Sequence, residues 1–331
     1  MIRFHHIQLK DIPTCVEIIA AHPVLGPRYG SAIDHLESVW HRLLGGDAFF
    51  GLVCEETDPG ISETIGSYVA CFITDEVATE IATPPLRWVG PELVKRVLNG
   101  PSPVLTDAEV RHANSTHGLN IVVWPTCPRT EYENFSELRR ESQALFFDAY
   151  RGFYIKRLQA QAIHPLELQI AVNSGGWYLR GADPKHSRAF HEPVELVALQ
   201  PHIMEATRAM ASQEPGTWIN QFFAYRKPEI GFPRSEQRLL SAALHGGTDE
   251  ELAEVLGISL SAVKKMWASV YLRIYSHKPS DLKVDHDESA DGDRGREKKQ
   301  KLLVYLRGHP EELHPYSMKL LEQSMKILRK S

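Results

Sequence analysis

Lys264, Lys265 and Arg273 are the only charged side chains between Leu260 and Tyr275, whereas the stretch just before carries Asp249, Glu250, Glu251 and Glu254. Lysine donates to guanine O6 and N7, and the hydroxyls of Thr248, Ser259 and Ser261 suit phosphate oxygens, above all where a helix begins. A basic segment behind an acidic one is the charge pattern of a helix laid against DNA.

The elements needed to position those side chains are written in "TDEELAEVLGISLSAVKKMW", Thr248 to Trp267. Leu252 and Leu256 stand four apart, and Val263, Met266 and Val270 repeat at three and four, which predicts two short amphipathic helices. Thr248 with Glu251 forms a capping box for the first, and Ser259 caps the second. Gly257 supplies the left-handed residue that ends the first helix, and Ala253 lets two steeply crossed backbones approach. Leu252, Leu256, Ile258, Val263 and Met266 fill the shared core. The pattern predicts a helix-turn-helix whose recognition helix is Leu260–Tyr275; a helical hairpin serving only packing, or contact with a protein, is the alternative.

The wider stretch from Phe232 to Ile274 resembles the LuxR-type (GerE-like) DNA-binding domain. The resemblance rests on Glu236, Gly247, the Leu252–Ala253 pair, the turn Leu256 to Ser259, and Val263 with Lys264; Pro233, Ser235, Ala262 and Met266 depart from the family pattern. It implies base contacts at Lys264, Lys265 and Ala268, with Thr248, Ser259, Ser261 and Arg273 near the DNA backbone. Trp267 is expected to pack and not to touch DNA.

The chain of 331 residues is 43% hydrophobic and 24% charged, ordinary for globular domains and long enough for two of them. No apolar run approaches a membrane span and no leader follows the start, so a soluble cytoplasmic protein without membrane contact is expected. Cys15, Cys54, Cys71 and Cys127 are scattered without C-x-x-C and read as reduced, buried thiols. The net charge of −5 is unevenly spread: the first 230 residues hold twenty basic and twenty-seven acidic side chains, and residues 294–331 ten basic and four acidic. Only the C-terminal third can be drawn to nucleic acid. The expected division is 1–228, an α/β sensor or dimerisation domain; 229–279, the DNA-binding unit; 280–297, a charged linker; and 298–331, a helical extension with an apolar seam at Met318, Leu321, Met325 and Leu328. Basic residues from Arg294 to Lys301 could add phosphate contacts.

In the first 230 residues strands are expected at Ala48–Glu56, Thr64–Thr74, Gly118–Cys127 and Leu166–Asn173, and helices at Ile12–Ala20, Ser31–Leu44, Pro91–Leu98, Glu137–Leu158 and Pro193–Ala211. The fold class predicted is α+β: a mixed-sheet α/β domain followed by an all-α helix-turn-helix domain and C-terminal helices. The order from "IRFHHIQLKDIPTCVEII" to "GLNIVVWPTCP" and the long helix after it resembles the GNAT acyltransferase fold. That resemblance implies a glycine-rich loop holding the pyrophosphate of acyl-CoA, yet "PRTEYENFSELRRES" has no glycine. No other catalytic motif is present. His5 with His6, and His186 with His191, lack partners for a metal site, and Trp124, Trp177 and Tyr178 read as core before pocket. The expected protein is therefore a non-enzymatic bacterial transcription regulator, without metal or cofactor, that binds double-stranded DNA as a homodimer under a small-molecule effector. The alternative is a GNAT-like acyltransferase fused to a DNA-binding module.

Overall fold

A computed structural model describes residues 1–58, 61–132, 136–162, 178–180, 201–213, 215–277, 279, 282, 292–317 and 320. The chain divides into two compact units, the first made of Met1–Ala113, His117–Tyr150 and Ile155–Phe223, and the second of Ala224–Ser331 with the short pieces Asn114–Thr116 and Arg151–Tyr154.

In the first unit the strands β1 (Ile2–His6), β2 (Phe49–Asp58), β3 (Ile61–Ile73), β4 (Leu119–Trp124), β5 (Ile155–Ala162), β6 (Tyr178–Arg180) and β7 (His202–Thr207) form one sheet in the order β1-β2-β3-β4-β5-β7-β6. Every neighbouring pair is antiparallel except β4 and β5. A parallel pair needs a crossover, and α7 (Ser136–Tyr150) supplies it. Alternation along the strands sorts their side chains to two faces. On one face Trp40 of α3 (Ile33–Leu43) meets Trp124 edge-on at 6.3 Å. On that face too lie α1 (Ile12–Ala21), α2 (Leu25–Tyr29), α4 (Asp75–Ile81) and α5 (Val89–Asn99). On the other face Tyr150 of α7 meets Phe50 and Phe72 at 5.6 and 5.4 Å, and Phe146 stacks on Phe222. Helix α6 (Asp107–Ser115) precedes β4, and short helices α8 (Arg208–Ala211) and α9 (Trp218–Phe222) follow β7.

Two expected helices are corrected. The helix expected over Glu137–Leu158 stops at Tyr150, because Gly152 takes φ +93° and pairing with β4 and β7 draws Ile155–Ala162 into the sheet. Within the helix expected over Pro193–Ala211, His202–Thr207 is instead β7, where pairing with β5 overrides local periodicity, and only Arg208–Ala211 is helical. The strand expected at Leu166–Asn173, residues 193–200 and most of the charged linker lie outside the described residues, as does the seam beginning at Met318.

In the second unit α10 (Arg234–Leu244), α11 (Asp249–Leu256), α12 (Leu260–His277) and α13 (Gly292–Gly308) surround a core that includes Leu239, Leu240, Leu252, Val263, Trp267 and Leu302. Thr248 caps α11 reciprocally with Glu251, and Gly257 ends it at φ +64°. A 3-10 turn, Pro310–Leu313, carries Glu312, whose carboxylate accepts the amides of Glu229, Ile230 and Gly231 at 2.6, 2.9 and 2.9 Å. The two short pieces of this unit are fastened by side chains: Asn114 donates to the Pro315 carbonyl and accepts from the Tyr154 amide, both at 2.7 Å, and Phe153 stacks on His314 at 3.7 Å.

Candidate functional site

The ladder between β4 and β5 ends at Val123 and Ala160. Beyond that point the strands part, for reasons legible in the residues. Trp124 still pairs with Val69 of β3, and the next residue, Pro125, has no amide hydrogen to offer β5. The chain then follows β3: Pro128 bridges to Gly66, and Arg129 donates its amide to Ile65 O at 2.7 Å and its Nε to Thr64 O at 3.1 Å. Strand β5 meanwhile continues to Ala162 beside β7. We call this point of divergence, where two strands paired a residue earlier take different neighbours, the wedge.

The next residues across this wedge are Trp124 and Gln161, on the same face of the sheet. Gln161 is 7% exposed, and its Oε1 accepts the Val89 amide at the start of α5 at 2.9 Å, meeting a donor that no cap at Trp88 satisfies. Its Nε2 is buried with no acceptor in range among the described residues. Gly90 follows in α5, where an added Cβ would come within 2.3 Å of the Tyr29 hydroxyl, so only glycine admits that ring. Tyr29 donates to Pro125 O and accepts from Trp124 Nε1, both at 2.9 Å. Burial pushes its phenol far above the ordinary range, and its hydrogen is committed to Pro125, which makes Tyr29 a brace of the wedge and not a proton donor. Arg28 lies over the Trp88 ring at 4.1 Å.

Between α1 and the segment after β4 lies a cleft of about 320 Å³, lined by Thr14, Glu17 and His22 on one side and Arg129, Thr130 and Glu131 on the other. The Nδ1 of His22 accepts the amides of Val24 and Leu25, both at 3.1 Å, which places its ring hydrogen on Nε2. The cysteines offer no nucleophile: all four are buried, and burial raises the Cys15 and Cys54 thiols to about 12 and Cys71 higher still. Among the described residues no group of three metal-ligating side chains converges; His5 lies 3.4 Å from Glu55 and 3.8 Å from Asp11. His186, His191 and Trp177 lie outside the described residues, as does the side chain of Tyr178.

The residues expected to meet DNA are otherwise employed or simply exposed. Lys264, Lys265 and Ala268 stand exposed on α12. Thr248 is committed to Glu251, Ser259 accepts from the Ala262 amide and pairs with Ser261, and Arg273 donates its Nε to buried Glu236 at 2.9 Å. Leu252, Ala253 and Val263 are buried; Leu256, Ile258 and Met266 are partly so, and Gly257 holds the turn between them. Trp267 is buried beneath Lys299, whose ammonium lies 4.9 Å from the ring and 3.1 Å from Asp249. Lys301 pairs with Glu297. The wedge residues Tyr29, Gly90 and Gln161 had no place in the sequence reading. Their one signal was the proline closing "NIVVWP".

Acyl-CoA chemistry requires a hold on the donor's arm and, in the usual arrangement implied by the GNAT resemblance, free amides for its pyrophosphate. The buried Nε2 of Gln161 fits the first. For the second, the amides of Arg129 and Tyr132 are already committed, to Ile65 O and Arg129 O.

No family model matches the chain, and no curated protein matches it. Solved structures do. The acetyltransferase described as histone acetyltransferase HPA2 and related from Corynebacterium glutamicum has 10% identity and a TM-score of 0.35, over 62% of this chain and 96% of its own. A chimera of the spermidine N-acetyltransferase SpeG of Vibrio cholerae has 8% identity and a TM-score of 0.33, over 63% and 96%. The aminoglycoside acetyltransferase AAC(6')-Ib, solved with coenzyme A and kanamycin, has 10% identity and a TM-score of 0.32, over 65% and 99%. Likenesses this low speak to the order of elements and to nothing finer. They run to acetyltransferases and not to LuxR-type regulators, so the expectations of a transcription regulator, of double-stranded DNA with a dimer and an effector as partners, and of a chain without enzymatic activity are corrected. What stands is that the N-terminal region, with its parallel β4–β5 pair in an otherwise antiparallel sheet, resembles the GNAT acetyltransferase fold.

Proposed function

We propose that the N-terminal unit is an acyltransferase that receives a thioester donor where β4 and β5 part. The observation that carries this reading is the wedge itself, which opens after Val123 and Ala160 because Pro125 cannot continue the ladder and Tyr29 and Arg129 hold the departing chain. A thioester supplies an acyl carbonyl already activated toward a nucleophile. The chain's part is to hold that carbonyl, exclude water and seat the acceptor. Gln161 stands at the point where an extended arm would lie between the strands; the cleft lined by Glu17 and Glu131 is the candidate acceptor side, and its carboxylates favour a cationic amine. The bound ammonium first gives one proton to solvent, the uncharged amine so formed attacks the carbonyl, the carbon–sulfur bond breaks, and the second proton lost by the nitrogen is taken up by the departing thiolate.

The test is calorimetric titration of the full chain with acetyl-CoA, paired with colorimetric detection of free thiol when a panel of primary amines is added. Saturable binding with amine-dependent thiol release is expected. No heat up to millimolar donor and no thiol released would overturn the proposal.

A further inference from the structure

We infer that Gln161 is the hydrogen-bond donor through which this unit holds a carbonyl oxygen of its acyl donor, an assignment that rests on the acyltransferase reading above. Three observations lead to it. First, the orientation of the side-chain amide is fixed: the Val89 N–H can only donate, so the atom facing it at 2.9 Å must be Oε1, and the NH₂ group points elsewhere. Second, that NH₂ group is buried, and no acceptor among the described residues lies within hydrogen-bonding distance of Nε2. A buried amide donor left unanswered is costly, and native proteins keep such groups where something else answers them. Third, Gln161 stands one residue beyond the last β4–β5 pair, on the face it shares with Trp124, so neither strand's backbone pairs across at its level. An amide donor in a site with little water discriminates for a carbonyl oxygen and against a cation, which sets the class of group it takes.

The neighbouring amides serve other ends. The NH₂ group of Gln159 is spent on the Ala78 carbonyl and on Glu205, and that of Asn120 on Ile73 O and Asp75, while the side-chain oxygens of both are buried without a donor in range among the described residues. Both stand within the paired part of the ladder, at Val122 and Arg157, where no guest can enter.

The experiment compares the full chain with Gln161→Glu. Glutamate keeps an acceptor for Val89 and replaces only the donating NH₂, so α5 retains its anchor while the hold on the carbonyl is lost. Acetyl-CoA is the probe, its affinity is read by calorimetry, and each protein's melting temperature is measured without ligand. A fall in affinity of tenfold or more at an unchanged melting temperature is expected. Because the variant could fail to fold, the side-chain NH₂ resonances of Gln161 are also followed in ¹⁵N-labelled wild type, where a downfield shift on adding acetyl-CoA is expected. Equal affinity in the two proteins, or resonances that do not move in wild type at saturation, overturns the assignment while leaving the acyltransferase reading intact. If wild type binds no acetyl-CoA, both fall together.

Discussion

Lowering the pH from 7 should loosen the second unit through His314. Its ring stacks on Phe153, and its Nε2 lies 2.7 Å from the Arg151 carbonyl, which fixes the hydrogen on that nitrogen. Burial, aided by the charges of Arg234 and Arg151 against a weaker opposing pull from the bond to the Arg151 carbonyl, brings the imidazole down from 6.5 to about 4. The folded protein therefore resists a proton that the unfolded chain accepts. Stability contributed by neutral His314 is complete above the unfolded value and is lost as the pH falls from 6.5 toward 4. The difference of about 2.5 units corresponds to at most about 3.4 kcal/mol, of which about 1.4 is gone at pH 5.5 and about 2.5 at pH 4.5. The ring is only partly buried, so water trims the observable loss at pH 4.5 to about 2 kcal/mol. Urea unfolding read by hydrogen exchange at the amides of Glu311 to Tyr316 measures it, with His314→Gln as the reference that cannot titrate. The wild type should lose stability faster than the variant between pH 6.5 and 4.5; parallel losses would refute the account.

Further outcomes follow from other sites. If the donor is held by its arm and not by its pyrophosphate, acetyl-pantetheine should bind within about tenfold of acetyl-CoA, because one or two weak contacts are all that the phosphates could add; a hundredfold preference for acetyl-CoA in competition calorimetry would show a phosphate cradle. Gly152→Ala should cost about 3 kcal/mol, since φ is +93° and the new Cβ would lie 2.6 Å from the Glu311 nitrogen, whereas Gly246→Ala, at φ +92° with open space around it, should cost about 1 kcal/mol. Thermal unfolding of the pair isolates the packing part, and equal costs would show that the backbone angle alone decides. Glu236→Ala should remove about 3 kcal/mol, because it strands Arg273 and Ser269 beside a buried site; a loss near zero in chemical denaturation would mean that the pair contributes nothing net.

Elements with strong local chemistry were legible in the sequence. The capping box at Thr248 and Glu251, the stop at Gly257 and the strand-like runs of β2, β3 and β4 all arise from residues within one turn or one strand of each other. What such chemistry serves was not legible, because Lys264, Lys265 and the hydroxyls around them have the same local pattern whether a surface meets DNA or water. The wedge was hidden for a different reason. It is made by residues far apart, Tyr29, Gly90, Trp124 and Gln161, brought together only when β4 pairs with β5, and β5 itself read as the tail of a helix until Gly152 was seen to end it. The missing glycines after β4 were plain in the sequence; that the Arg129 amide there is taken by β3 was not.

The second unit is assembled from three separate pieces of chain, and this sets a timetable for its folding. Asn114, Phe153 and Tyr154 leave the ribosome more than 150 residues before Pro315 and His314, their eventual neighbours. During synthesis those two loops must wait without a core until the C-terminal residues emerge, and the loop-closure entropy of joining them falls late and all at once. A C-terminal segment made alone from residue 224 would emerge with the sockets for Asn114 and Phe153 unfilled. Supplying the preceding residues in trans, on a second polypeptide, is then the natural route to completing it.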